Sequence, residues 1–215
     1  MSANPNEITV QLGGITGEVK RADSSYPQSF RSGNTGEMLI GHAHGKYYEA
    51  ALRGKLHYSY CAAIAMSASN TTALGNLVWN PPGSGVNLAL GKYDLANIVT
   101  DANALEFLLG YSVQSTVPGS TTAAVTGPCK LGPVATPTSL AKAYSAATIT
   151  TAATAICSLG YIYAAIDTVG QGVISGDFDG SIIVPPGYLV HIMCVAAAGA
   201  GGTYSTLMWE EVPIA

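Results

Sequence analysis

The chain has 215 residues, a formal net charge of −4 and only 10 % Asp, Glu, Lys and Arg, against roughly 25 % in an ordinary soluble protein. The length allows one domain with an extension or two small domains, and the acidic balance argues against nucleic acid as a partner, because phosphate binding needs a basic field. Free monomers stay soluble through mixed surface charge, so so neutral a surface is expected to be covered by copies of the same chain or by a larger partner.

The opening MSANPNEITV lacks a basic region, an apolar run and a cleavage site, so no secretory signal is read there. The longest uncharged apolar stretch, Tyr188 to Gly199, is too short and too glycine-rich to span a bilayer. No membrane partner is expected, and synthesis in a cytoplasm is. Residues 1–36 read as an irregular arm. ITVQL (8–12) has a strand pattern, but Gly13, Gly14 and Gly17 follow, and then Gly, Ser and Pro break the periodicity. In this polar segment Tyr26 and Phe30 are isolated large apolar residues, and Lys20, Arg21 and Arg31 are near them. These five are expected to anchor the arm on a partner, with the bases meeting carboxylates and Phe30 filling a pocket; a segment of this composition orders only on binding. The arm is placed at 1–54 and the body at 55–215.

Apolar alternation predicts strands at 37–44, 46–52, 56–67, 75–79, 86–99, 106–114, 157–167, 180–184, 187–197 and 204–212. The stretch 136–156 is divided between SLAKAYSAA, which favours helix, and the Thr and Ile that follow, which favour strand. Many short strands and no long amphipathic helix predict an all-β, jelly-roll-like antiparallel β-sandwich with an extended N-terminal arm. Pro-Pro-Gly occurs at 81–83 and again at 185–187, each time between apolar runs. Proline ends a ladder and glycine permits positive φ, so both sites are expected to be corners where a strand changes sheet.

Few residues suggest chemistry. His42 and His44 would share a strand face, and His57 would complete a zinc set only through a pairing the sequence does not specify; two polar histidines on a solvated or interface face is the preferred reading. Asp177-Phe178-Asp179-Gly180 opens like a calcium loop, but the later ligands are missing, and Asp-Gly between apolar runs signals a hairpin. Glu210 and Glu211 point to opposite faces of one strand, so they cannot act as an acid–base pair and are expected to keep the last strand soluble. The cysteines, Cys61, Cys129, Cys157 and Cys194, are far apart and read as free thiols. Tyr47, Tyr48, Tyr58, Tyr60, Tyr161 and Tyr163 are expected in core or subunit packing rather than on a sugar-stacking platform. No catalytic residue, cofactor or metal is expected.

The glycine-rich arm, NPPGSGVNLAL, IIVPPG and the closing STLMWEEVPI together resemble small virion proteins of tailed bacteriophages, of the jelly-roll capsid decoration (cement) or head-fibre type. The resemblance implies a non-enzymatic homotrimeric subunit, made in the host cytoplasm and clamped onto a major capsid or other virion protein. Two alternatives accompany it: a subunit of a helical tube or fibre, and a glycan-binding receptor-recognition module.

Overall fold

A computed structural model describes residues 45–68, 70–98, 104–132, 138–162, 172–195 and 202–214. Tyr47–Ala215 forms one compact unit. The expected strands at 8–12 and 37–44 lie outside the described residues, as do Lys20, Arg21, Tyr26, Phe30, Arg31, His42, His44 and Tyr163.

The strand expected at 46–52 is instead a one-turn helix, α1 (Tyr48–Leu52). Glu49, Ala50, Ala51 and Leu52 are all good helix formers, and their propensity prevails over the strand preference of the two tyrosines. Gly54, at φ +67°, ends the helix. The Gly54 and Lys55 amides donate to the Ala51 and Ala50 carbonyls, the two bonds of a Schellman cap.

Twelve strands follow among the described residues: β1 (Leu56–Ile64), β2 (Thr72–Asn80), β3 (Val86–Asn97), β4 (Leu105–Val113), β5 (Gly119–Ala123), β6 (Val125–Pro128), β7 (Lys142–Thr148), β8 (Thr154–Ile162), β9 (Gly172–Asp177), β10 (Ile183–Val184), β11 (Tyr188–Cys194) and β12 (Thr203–Pro213). The first sheet runs β10-β3-β12-β1-β6, with β9 on the same edge of β3 as β10; the second runs β5-β7-β2-β11-β4-β8. All pairings are antiparallel and the sheets pack as a sandwich. The pairs are nested: β1 with β12, β2 with β11, β3 with β9 and β10, β4 with β8. Successive pairs alternate between sheets, which is the winding of a jelly roll. The chain between β4 and β8 adds β6 beside β1 and adds β7 and β5 beside β2, so the edges of β1 and β2 are covered.

Both Pro-Pro-Gly segments are corners between sheets, one joining β2 to β3 and the other β10 to β11. Gly83 and Gly187 take φ of +77° and +82°. The corners are tied together by buried Asn80, whose Nδ2 donates to Val86 O at 2.8 Å and to Val184 O at 3.0 Å.

The main core lies between the sheets, around Val78, Leu88, Leu90, Phe107, Ile192 and Trp209. Asn76 is a polar pin through it: Ser59 Oγ donates to Asn76 Oδ1 at 2.7 Å, and Asn76 Nδ2 donates to the Ser59 and Ser205 carbonyls. A second apolar cluster contains Leu77, Trp79, Leu189 and Met193, the residues that alternate with the inward-facing Val78, Val190 and Ile192. It therefore lies on the outer face of the second sheet, and Ile149 and Ala153 from the β7–β8 connection pack in it. That connection is a strap that joins β7, beside β2, to β8, beyond β4.

Candidate functional site

Three places bring polar groups or exposed apolar surface together. The first is at the mouth of the sandwich beside β6 and β7. Along β12, Thr203, Ser205, Leu207, Trp209 and Glu211 are the buried residues, so Glu211 points inward. This corrects the expectation that Glu211 keeps the strand soluble: it is 5 % exposed. Its Oε1 accepts from Ser139 Oγ at 2.7 Å, Leu140 N at 2.7 Å and Ala141 N at 3.3 Å. Three donors replace the water lost on burial, as a buried carboxylate requires. Its Oε2 lies 3.7 Å from His57 Nε2, and the His57 ring stacks on Trp209. Burial pushes the His57 pKa below its usual value; Glu211 opposes the shift and Lys55 adds to it.

Ser139 donates to the carboxylate and not to the imidazole, and His57 is 1 % exposed. Three donors from Ser139–Ala141 converge on one Glu211 oxygen, so the carboxylate acts as a clamp that ties the entrance of β7 to β12. The adjoining cleft, about 360 Å³, is lined by small residues such as Ala123, Gly127, Ser139 and Ala141, with Lys142 and Tyr144.

The second place is beneath the strap. His191 is fully buried on β11, on the outer side between Leu189 and Met193. Its Nε2–H donates to Leu74 O at 2.9 Å; the acceptor is a carbonyl, so the proton is on Nε2. Burial pushes its pKa down to about 4, and the bond to Leu74 O opposes the shift. Gly75, at φ +129°, makes room for the ring, since a Cβ there would lie 3.2 Å from Nε2 and 2.6 Å from Ile192 O. Gln114 holds the strap: its Oε1 accepts from Thr150 N at 2.9 Å and Thr150 Oγ1 at 3.1 Å, and its Nε2 donates to Thr116 O. Ser112 Oγ adds a bond to Thr151 O at 2.7 Å.

The third place is an apolar groove of about 230 Å³ on the flank where β8 and β10 end the two sheets. Tyr111 and Ile156 line one side, Ile182, Ile183 and Pro185 the other, and Tyr188 joins them.

The remaining sequence candidates separate. Asp177 Oδ1 accepts from Tyr47 Oη and from Asp179 N. Asp179 and Gly180 both have positive φ and form a tight turn closed by Ser181 N to Phe178 O. The turn is not the expected hairpin, because β9 and β10 both pair with β3 and not with each other. Tyr161 and Tyr48 are 61 % and 44 % exposed, so of the expected core or subunit packing they do not take the core place within this chain. All four cysteines are free; burial pushes the Cys61 thiol up to about 12. Among the described residues no three His, Cys, Asp or Glu side chains are grouped to hold a metal, and no helix is long and apolar enough to cross a membrane. Glu211 was legible in principle, since it falls in phase with Trp209 and Leu207, but its donors come from a distant segment.

No protein-family model, curated protein or solved structure matches this chain. The jelly-roll assignment therefore rests on strand order alone.

Proposed function

We propose that this chain is a non-enzymatic structural subunit of a virion: a capsid decoration (cement) protein of the tailed-bacteriophage type, working as a homotrimer on a shell of major capsid protein. In this reading Lys20, Arg21, Tyr26, Phe30 and Arg31 supply the anchor. The observation that carries it is the use made of the buried ionisable groups. Glu211 clamps a segment, His57 stacks on Trp209 beside it, His191 fills a satellite core, and none of them lines the cleft or the groove. What the molecule offers is surface, and that surface is poor in charge and bears exposed Val, Ile, Leu and Tyr side chains.

Negative-stain microscopy of the purified protein, with co-sedimentation on shells of a tailed-phage major capsid protein, tests the reading. Discrete particles that bind shells at a fixed ratio are expected. Open filaments would favour the tube or fibre alternative, which grows by contacts that never close. Discrete particles without affinity for shells would overturn the decoration role.

A further inference from the structure

The groove on the β8/β10 flank is an uncovered margin of the main core. Val113 pairs with Tyr188, so the two share a face of the second sheet, and Tyr188 packs against the core between the sheets. Tyr111 is on that same face, two residues earlier. Both Tyr111 and Val113 nevertheless stay about half exposed, because β10 is only two residues long and covers little of this side. Ile156 is the extra residue of a bulge, between the pairs Leu109–Cys157 and Gly110–Ala155, and it lines the groove. Opposite, Ile183 is 60 % exposed.

None of the residues lining this groove is charged. Strand β8 beside it contains no charged residue and no proline, two of the devices that usually keep a sheet edge from pairing with another chain. The Leu159–Ile162 half of β8 is closed against its neighbours: Tyr93 Oη donates to Leu159 O, and Ile174 stands over Gly160. The Thr154–Ser158 half, beside the groove, is the part left open. Tyr111, Val113, Ile156 and Ile183 are 42 %, 50 %, 44 % and 60 % exposed, and an uncharged apolar centre that includes an aromatic side chain is the composition found at the core of homodimer interfaces.

We infer that this groove is a self-association surface and that its occupant is a second copy of this chain, seated with its own apolar flank against Ile156 and Ile183. The apolar, charge-free composition of the patch is that of the core of an interface between like chains. The absence of charge on both walls suits a like surface, with no ion pair demanded of a different partner. The inference stands on the groove and not on the virion reading, so a chain that self-associates but ignores capsid shells leaves it intact.

The test is the mass of the full chain in sedimentation equilibrium across a concentration series, read against the 22.0 kDa monomer. The wild-type protein is expected as an oligomer. Ile156→Lys and Ile183→Lys, one on each wall, are each expected to raise the dissociation constant by about thirtyfold or more, as loss of a central apolar contact does. Leu131→Lys, at a site 83 % exposed in a loop away from the groove, is expected to leave it unchanged. Hydrogen exchange on the wild-type chain needs no variant: protection at 154–158 and 182–188 should rise with concentration. A monomeric wild type, groove variants that associate normally, or concentration-dependent protection confined to other segments would each overturn the inference.

Discussion

Acid should loosen the satellite core under the strap, and His191 makes the effect calculable. In the folded chain the imidazole has a pKa of about 4; in the unfolded chain it has the ordinary 6.5. Because the folded-state value is depressed, the unfolded state binds more protons between these two pH values. Stability is then full above about pH 6.5, falls as the pH drops toward 4, and levels off below. From pH 7.5 to 4.5 the linkage costs on the order of 2–3 kcal/mol, a sizeable part of the roughly 5–15 kcal/mol that holds an ordinary domain together. The physical cause is local. A second proton on Nδ1 would put a charge among Leu77, Trp79, Leu189 and Met193, where that nitrogen has no partner. His191→Gln keeps a donor for Leu74 O and does not titrate. Urea unfolding of both full-length proteins, followed through Trp79 and Trp209 fluorescence, should show the variant less stable by about 1–2 kcal/mol at pH 7.5. The gap should close as the pH falls and reverse near pH 5. His57, whose pKa is also lowered, and the carboxylates are present in both proteins and cancel in the comparison. Parallel pH profiles for the two proteins, or an imidazole resonance of His191 titrating near 6.5, would refute the reasoning.

Two further predictions follow from the polar anchors. Glu211→Ala removes the acceptor of Ser139 Oγ, Leu140 N and Ala141 N and should destabilise the fold by about 3 kcal/mol or more in chemical denaturation, with Glu211→Gln losing less because it keeps one oxygen. Gln114→Ala strands the Thr150 amide and frees the strap; about 2 kcal/mol of stability should be lost, and amide exchange should rise at 149–153 before it rises in β2 or β11.

Strand β11 was readable because burial on both faces leaves a nearly continuous apolar run in the residues themselves. The Pro-Pro-Gly corners were readable for the same kind of reason: proline and glycine act on their own backbone, and both proved to be sheet changes. The helix α1 was also a local matter, in which the Glu-Ala-Ala-Leu run prevailed over the aromatic pair before it. Strands β5, β6 and β9 were missed. GSTTA and VTGP are polar edge segments with no buried face, and they are strands only because β7 and β1 supply their hydrogen-bond partners.

The site residues divide along the same line. Sequence alone determined the shortage of charge, the all-β class, the sheet-changing corners and the opposite facing of Glu210 and Glu211, since each depends on a residue's own chemistry or its immediate neighbours. Only the tertiary structure decided that Glu211 is clamped by Ser139–Ala141 some seventy positions earlier, that His191 is roofed by a five-residue strap, and that Ile156 and Ile183 face one groove. Those outcomes depend on which strands lie side by side and on where a two-residue edge strand stops covering the core. The pairing energies that settle them are shared among segments far apart in the chain, so no single stretch of sequence carries them.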